Sequence, residues 1–240
     1  MLATHPALDT AGGSNRETPM LSTADAIAQR RSVRAFLPDE LPQATLEHLL
    51  TQAQQAPSNC NTQPWIVHVV SGATLRVLRE RLLAAGADPD QYRPDFAYDG
   101  KYPGVYKERQ YDAAARLYAA MHIARDDRIA RAQAGLRNFA MFGAPHAAFV
   151  FLAEPFGVRE AVDCGMFAQN LMLLLTAEGL ASCPQAALSF HPHIVREVLG
   201  VPPEHKLLFG ISIGREDTQA AANACRTPRA ALDDAVRFHR

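Results

Sequence analysis

No C-x-x-C pair occurs in this chain. Its four cysteines, Cys60, Cys164, Cys183 and Cys225, are widely spaced, which argues against a disulfide framework or a zinc ribbon and fits a reducing compartment. A dominant charge of either sign is missing too, since 24 Lys and Arg stand against 25 Asp and Glu for a formal charge of -1. Without a global field, neither nucleic acid nor an anionic membrane is expected as a partner, and any anion must be held by a local cluster. Long apolar runs are also absent. The most apolar stretch, "MFAQNLMLLLTAEGL" (166–180), is too short to span a bilayer and contains Gln169 and Asn170. The N-terminal residues lack the basic and apolar regions of a signal peptide, and their Gly, Thr and Ser content predicts a disordered tail over 1–22. A cytoplasmic protein is expected, with a single domain over 23–240.

Several catalytic signatures are missing as well. The chain has no G-x-G-x-x-G, no G-x-x-x-x-G-K-[ST] and no H-E-x-x-H, and the letters G-I-S-I-G (210–214) fall inside a strand-like run, where they make no nucleophile elbow. His191 and His193 flank Pro192 without an acidic partner. They read as surface or capping histidines, and no metal is expected. Cys183 beside Pro184 reads better as a small buried residue than as a nucleophile.

What is present has a helix-rich rhythm. Ser22 and Asp25 have capping-box spacing ahead of a short helix, which runs into the extended "RRSVRAFLP". A helix from about Pro42 puts Leu46, Leu49, Leu50 and Ala53 on one face. "WIVHVV" (65–70), "HAAFVFLAE" (146–154) and "KLLFGISIG" (206–214) read as strands, the last two buried. Helices are expected over 73–85, 107–123, 126–141, 160–178 and 192–199, with Gly179 and Gly200 as stops. Residues 218–240 look like an arm reaching beyond the core. Strands separated by helices suggest a central sheet covered on both faces.

Three groups of residues bear chemistry. "RRSVR" (30–34) sets Arg30, Arg31 and Arg34 around Ser32. Like charges about 7 Å apart repel by roughly half a kcal/mol in water, so repulsion alone demands no bound anion. A phosphate would still suit these planar forks. "CRTPR" (225–229) adds Arg226 and Arg229, and two clusters from opposite ends of the chain could meet on one dianion. The loop "APSNCNTQPW" (56–65) gathers Ser58, Asn59, Asn61 and Gln63. Amides carry donor and acceptor in one plane, the complement of a flavin pyrimidine edge or a base, or they tie down their own loop. Lastly, all six tyrosines, at 92, 98, 102, 106, 111 and 118, crowd one Pro- and Gly-punctuated region. They wall a pocket for a flat substrate or pack a helical hairpin.

These pieces, in this order, resemble the FMN-dependent nitroreductase family. "AIAQRRSVRAF" is similar to its N-terminal phosphate-binding signature and "APSNCNTQPW" to its P-S-x-x-N-x-Q-P-W loop. "MFGAP" (141–145), "FAQNLMLLLTAEGLASCPQAAL" and "ISIGRED" also fall in register, and "NACRTPRAALDDAVRF" resembles the branch that reduces nitroaromatics such as nitrobenzoates. The likeness covers most of 24–240 and is weakest over about 80–130.

The resemblance implies an α+β, three-layer α/β/α fold with a central mixed sheet, an extended C-terminal arm over about 218–240, and a homodimer with FMN in interface clefts. Arg30, Arg31 and Ser32 would hold the phosphate and ribityl chain, and Arg34 would meet the N1/O2 side of the ring. Pro57, Ser58, Asn59, Asn61 and Gln63 would come from the other subunit. Pro184, Gln185 and Ala186 would line the opposite ring edge, and Arg226 and Arg229 would close on the phosphate. Tyr102, Tyr106 and Phe142 are candidates for substrate contact. Asn59 stands where many relatives have Gly, and Asn tolerates the left-handed angles such a turn needs. The implied activity is ping-pong reduction of nitroaromatics to hydroxylamines with NADH or NADPH. Quinone or enone reduction, dehalogenation, and flavin binding without turnover remain open as alternatives.

Overall fold

The computed structural model describes residues 21–240. The tail expected over 1–22 lies outside them except for Leu21 and Ser22. Ser22 caps α1 (Thr23–Gln29), its Oγ accepting from the Asp25 N–H at 3.2 Å and donating to the Asp25 carboxylate at 2.5 Å. An extended segment then leads to α2 (Gln43–Ala53), which follows Pro42 at its N-cap.

Among the described residues, four strands form one sheet. They are β1 (Trp65–Ser71), β2 (His146–Ala153), β3 (Ala181–Gln185) and β4 (His205–Gly214), in spatial order β1-β2-β4-β3. Every neighbouring pair is antiparallel. This corrects the expected mixed sheet. Among the described residues, parallel pairing between neighbours is confined to an isolated bridge between Ser32 and Ser182. One helix, α6 (Val158–Ala177), carries the chain from β2 to β3, and these two strands do run the same way, as a single crossover helix dictates. They are not neighbours, however, because β4 inserts between them and opposes both. β3 itself was not anticipated.

The sheet is covered on both faces. Ala147, Phe149 and Phe151 of β2 point into a core with Leu75, Leu78 and Leu82 of α3 (Gly72–Gly86) and with Ile194 and Val195 of α7 (Pro192–Leu199). The intervening Ala148 packs on the other side, with Ile211 and Ile213 of β4, Leu46 and Leu49 of α2, and Phe167 and Leu171 of α6. The alternation along β2 therefore builds three layers. Trp65 stacks on Phe167 with ring centroids 5.3 Å apart. A left-handed Gly179 (φ 67°) ends α6, and Gly200 (φ 65°) ends α7.

Two further helices, α4 (Gly104–Ala120) and α5 (Arg128–Leu136), fill the β1–β2 connection, and neither contains a buried residue. Beyond β4 the arm makes a 3₁₀ turn at Ala221–Ala224 and a final short helix, α8 (Leu232–Ala235). Among the described residues, no helix is long and apolar enough to cross a membrane.

Candidate functional site

The two arginine clusters meet. Ile27 to Ser32, Arg34, Cys225, Arg226, Thr227 and Arg229 line one cleft of about 610 Å³, a size suited to a small ligand. Local geometry explains the convergence. Residues 32–36 are extended, with Ser32 bridged to Ser182 and Phe36 to Glu216. Side chains therefore alternate over 32–35, with Val33 and Ala35 buried while Ser32 and Arg34 stay accessible at the cleft; Phe36, next along, is buried as well. The arm returns alongside, with Asp217 N–H donating to the Ala35 carbonyl at 3.1 Å and Leu37 N–H to the Arg215 carbonyl at 2.9 Å.

The charges in the cleft are unevenly satisfied. Arg31 is paired with Glu216, a partner that sequence reasoning missed. Arg30, Arg34, Arg226 and Arg229 have no carboxylate partner among the described residues. Arg34 Nη1 reaches the Ser32 carbonyl at 3.3 Å. Arg226 and Arg229 fold back onto carbonyls of their own arm, at 2.7 Å to Asn223 and 3.1 Å to Thr227. Burial, and then the nearby Arg229, lower the pKa of Arg30. An anion between these guanidiniums would relieve both effects, so the donor set fits a phosphate dianion.

The amide loop lies elsewhere in the chain, and Pro57, Ser58, Asn59, Asn61 and Gln63 do not line the arginine cleft. It forms a 3₁₀ turn at Asn59–Asn61, anchored to α6 where the Asn59 N–H donates to Asp163 Oδ2 at 3.0 Å. The loop partly ties itself down, with Gln63 N–H to Ser58 Oγ at 2.9 Å and Gln63 Nε2 to the Asn61 carbonyl at 3.2 Å. Left-handed angles fall at Cys60, Asn61 and Gln63 and not at Asn59, which corrects the expectation that Asn59 takes the glycine conformation.

Pro184 and Ala186 are exposed where β3 passes into a 3₁₀ turn at Ala186–Ser189. As the first residue of that turn, Ala186 has no acceptor for its N–H within the turn itself. Gln185 is buried and its amide is consumed internally, accepting from Ser212 Oγ at 2.5 Å and donating to the Asn138 carbonyl at 2.9 Å. Its side chain is thus committed to the fold. Burial pushes the Cys183 thiol up to about 11, far from the range of a nucleophile. Sequence reasoning also missed Arg137, whose Nη2 donates to the Arg34 carbonyl at 2.9 Å.

The tyrosines divide. Tyr92 and Tyr98 pack on Phe190 with centroids at 5.1 and 5.8 Å, and Tyr102 lies 6.4 Å from Tyr98. A hydrogen bond with Tyr102 raises the Tyr98 phenol to about 12. Tyr106 is exposed on α4 beneath Arg109. Phe142, at 7% exposure, packs with Val33, Phe36 and Cys183 behind the cleft. His191 is also buried, its Nδ1 2.8 Å from the Gln91 carbonyl, so of the surface or capping reading the surface half is corrected, while the residue does stand at the N-cap of α7, without a side-chain capping bond. Among the described residues no group of three or more His, Cys, Asp or Glu is placed to hold a metal.

Comparison with known proteins places this geometry. Residues 27–215 match the nitroreductase family. The whole chain aligns, at 45% identity and over 98% of the relative, with nitroreductase NfnB of Mycolicibacterium smegmatis. A 4-nitrobenzoate reductase of Pseudomonas putida is 32% identical over 85% of the chain and 89% of the relative. In three dimensions, the crystal structure of an FMN-dependent nitroreductase NfnB from Mycobacterium smegmatis in complex with NADPH superposes with a TM-score of 0.86, at 47% identity, over 91% of this chain and 98% of that one. An FMN- and NADPH-dependent NfnB from a Sphingopyxis strain gives 0.88 at 34% identity, over 92% and 100%.

Proposed function

This chain belongs to the nitroreductase family, and we propose that it is an FMN-dependent enzyme that spends NADPH or NADH to reduce nitroaromatic compounds. One observation carries the reading beyond kinship: arginines from the two ends of the described chain converge on a single cleft, and of them only Arg31 has a carboxylate partner among the described residues. Only a ligand rich in negative charge makes use of that arrangement.

When bound, FMN supplies a reversible two-electron store between the nicotinamide and the nitro group. The protein's part is to bind and orient. Arg30, Arg31, Ser32, Arg226 and Arg229 would hold the phosphate and ribityl chain, and Arg34 would bring positive charge to the N1/O2 side of the ring, favouring its acceptance of electrons. Pro184, Gln185 and Ala186 border the opposite edge, with the Ala186 N–H available toward N5. Tyr102, Tyr106 and Phe142 belong to the substrate side.

Conversion of the nitro group to nitroso takes two electrons and two protons and releases water, and a second pair gives the hydroxylamine. Solvent supplies the protons, and no side chain is assigned as general acid. Pro57, Ser58, Asn59, Asn61 and Gln63 serve the cleft of the partner subunit in a homodimer. Two observations support that assembly. The loop does not line the cleft of its own chain, and α4 and α5 contain no fully buried residue.

Purified protein should be yellow, or become so with FMN, and its initial rates with NADPH and 4-nitrobenzoate should give parallel double-reciprocal lines. A colourless protein that takes up no FMN would overturn the cofactor assignment. Intersecting lines would overturn the use of one site by both substrates in turn.

A further inference from the structure

Asn223 sits in the turn Ala221–Ala224 at 5% exposure, an amide sealed under the cleft. A buried amide must find partners for its polar atoms, and the partners of this one join the two ends of the described chain. Its Oδ1 accepts from the Arg34 N–H at 2.7 Å. Its Nδ2 donates to the Ala35 carbonyl at 2.8 Å and to the Asp217 carbonyl at 2.9 Å. Its own carbonyl accepts from Arg226 Nη1 at 2.7 Å. Within one residue, then, the backbone of the first arginine cluster is clipped to the side chain of the second. The Arg34 carbonyl is gripped separately by Arg137 at 2.9 Å.

Register makes this clip matter. In an extended segment a slip of one residue exchanges the two faces, so Arg34 would turn toward the core and Ala35 toward the cleft. Asn223 fixes that register by reading Arg34 N–H and Ala35 C=O together, and it ties the same reading to the position of Arg226. We infer that Asn223 is a positioning residue for the anion site, setting the two arginine clusters at the spacing of a single phosphate. The inference rests on the FMN reading above and goes beyond it, because Asn223 touches no ligand itself.

The test separates a phosphate-specific role from general loosening. The full-length chain, freed of flavin, is titrated with FMN and with riboflavin, which lacks the phosphate, and flavin fluorescence quenching is followed. Wild-type protein should prefer FMN by at least about tenfold, and Asn223→Ala should compress that preference to about threefold or less, with riboflavin, which meets Arg34 only through its ring, losing less affinity than FMN. A variant that keeps the wild-type preference, or loses both ligands equally, overturns the inference. Should Asn223→Ala not fold, amide hydrogen exchange on the wild-type protein decides: inorganic phosphate alone, which carries no ring for Arg34 to meet, should slow the Arg34 N–H. Unchanged exchange at Arg34 also overturns it. A wild-type protein that fails to prefer FMN over riboflavin sinks the FMN reading itself, and the clip with it.

Discussion

A single histidine illustrates what one side chain can fix. His146, at 2% exposure, opens β2, and its Nε2 accepts the Leu41 N–H at 2.7 Å while Nδ1 lies 2.5 Å from Ser71 Oγ. An imidazole nitrogen that accepts from an amide carries no proton, so the neutral ring holds its hydrogen on Nδ1. Burial lowers the pKa from the ordinary 6.5, with Glu40 opposing weakly. Between the lowered folded value and the ordinary one, the unfolded chain binds the extra proton. Stability is therefore full above about 6.5, falls as pH drops through that value, and levels off below the folded pKa. The urea midpoint should follow that course, and His146→Gln, which keeps an acceptor but does not titrate, should flatten part of it. An unchanged slope in the variant would exclude His146. His68 and His193 are lowered chiefly by burial as well, so some slope should remain. None of this was visible in the sequence. The arginines at 30, 31, 34, 226 and 229 were legible because charge and order can be read from letters. Asn223, Glu216 and Arg137 were not, because a lone Asn, Glu or Arg acquires its role only from a neighbour far away in the chain.

Elements with strong periodicity were readable in advance. The face of α2, the helix over 73–85, the apolar run of β2 and the glycine stops after α6 and α7 all follow from local rules. β3 escaped because "ASCPQ" has no β-branched run and contains Pro184, which a central strand would refuse. It is an edge strand, where a missing N–H is tolerated. Strand direction escaped for another reason. The β1–β2 connection holds α3, α4 and α5, and several helices can return the chain to either end of a sheet. One contact links this architecture to the site. A Cβ on Gly210 of β4 would lie 2.5 Å from Leu188 Cδ1 and 3.0 Å from Leu188 Cβ, inside the turn that begins at Ala186. Gly210→Ala should therefore cost about 1–3 kcal/mol in chemical denaturation through overpacking. A variant as stable as the wild type would show that the turn yields freely.

For the molecule as a whole, one chain carries half of each expected binding surface, with the basic cleft on one part and the amide loop on another. The 26.2 kDa chain should sediment as a dimer, and dilution that splits it should release flavin in step. A monomer that retains FMN would remove the shared cradle. A sheet covered on both faces was legible from strands separated by helices, whereas the three-layer fold's assembly could be argued only from family likeness, since no pattern of letters marks an interface. The position of β4 has a temporal consequence. Synthesised last of the four strands, it occupies the interior of the sheet between β2 and β3, and residues 215–217 and 223 then meet residues 34–37. While the polypeptide is emerging from the ribosome, β2 and β3 must wait with unpaired edges, and closing contacts this distant in sequence is slow. Nascent chains of this protein are thus exposed to mispairing until β4 has emerged, and truncation before His205 removes the sheet's centre along with the anion site.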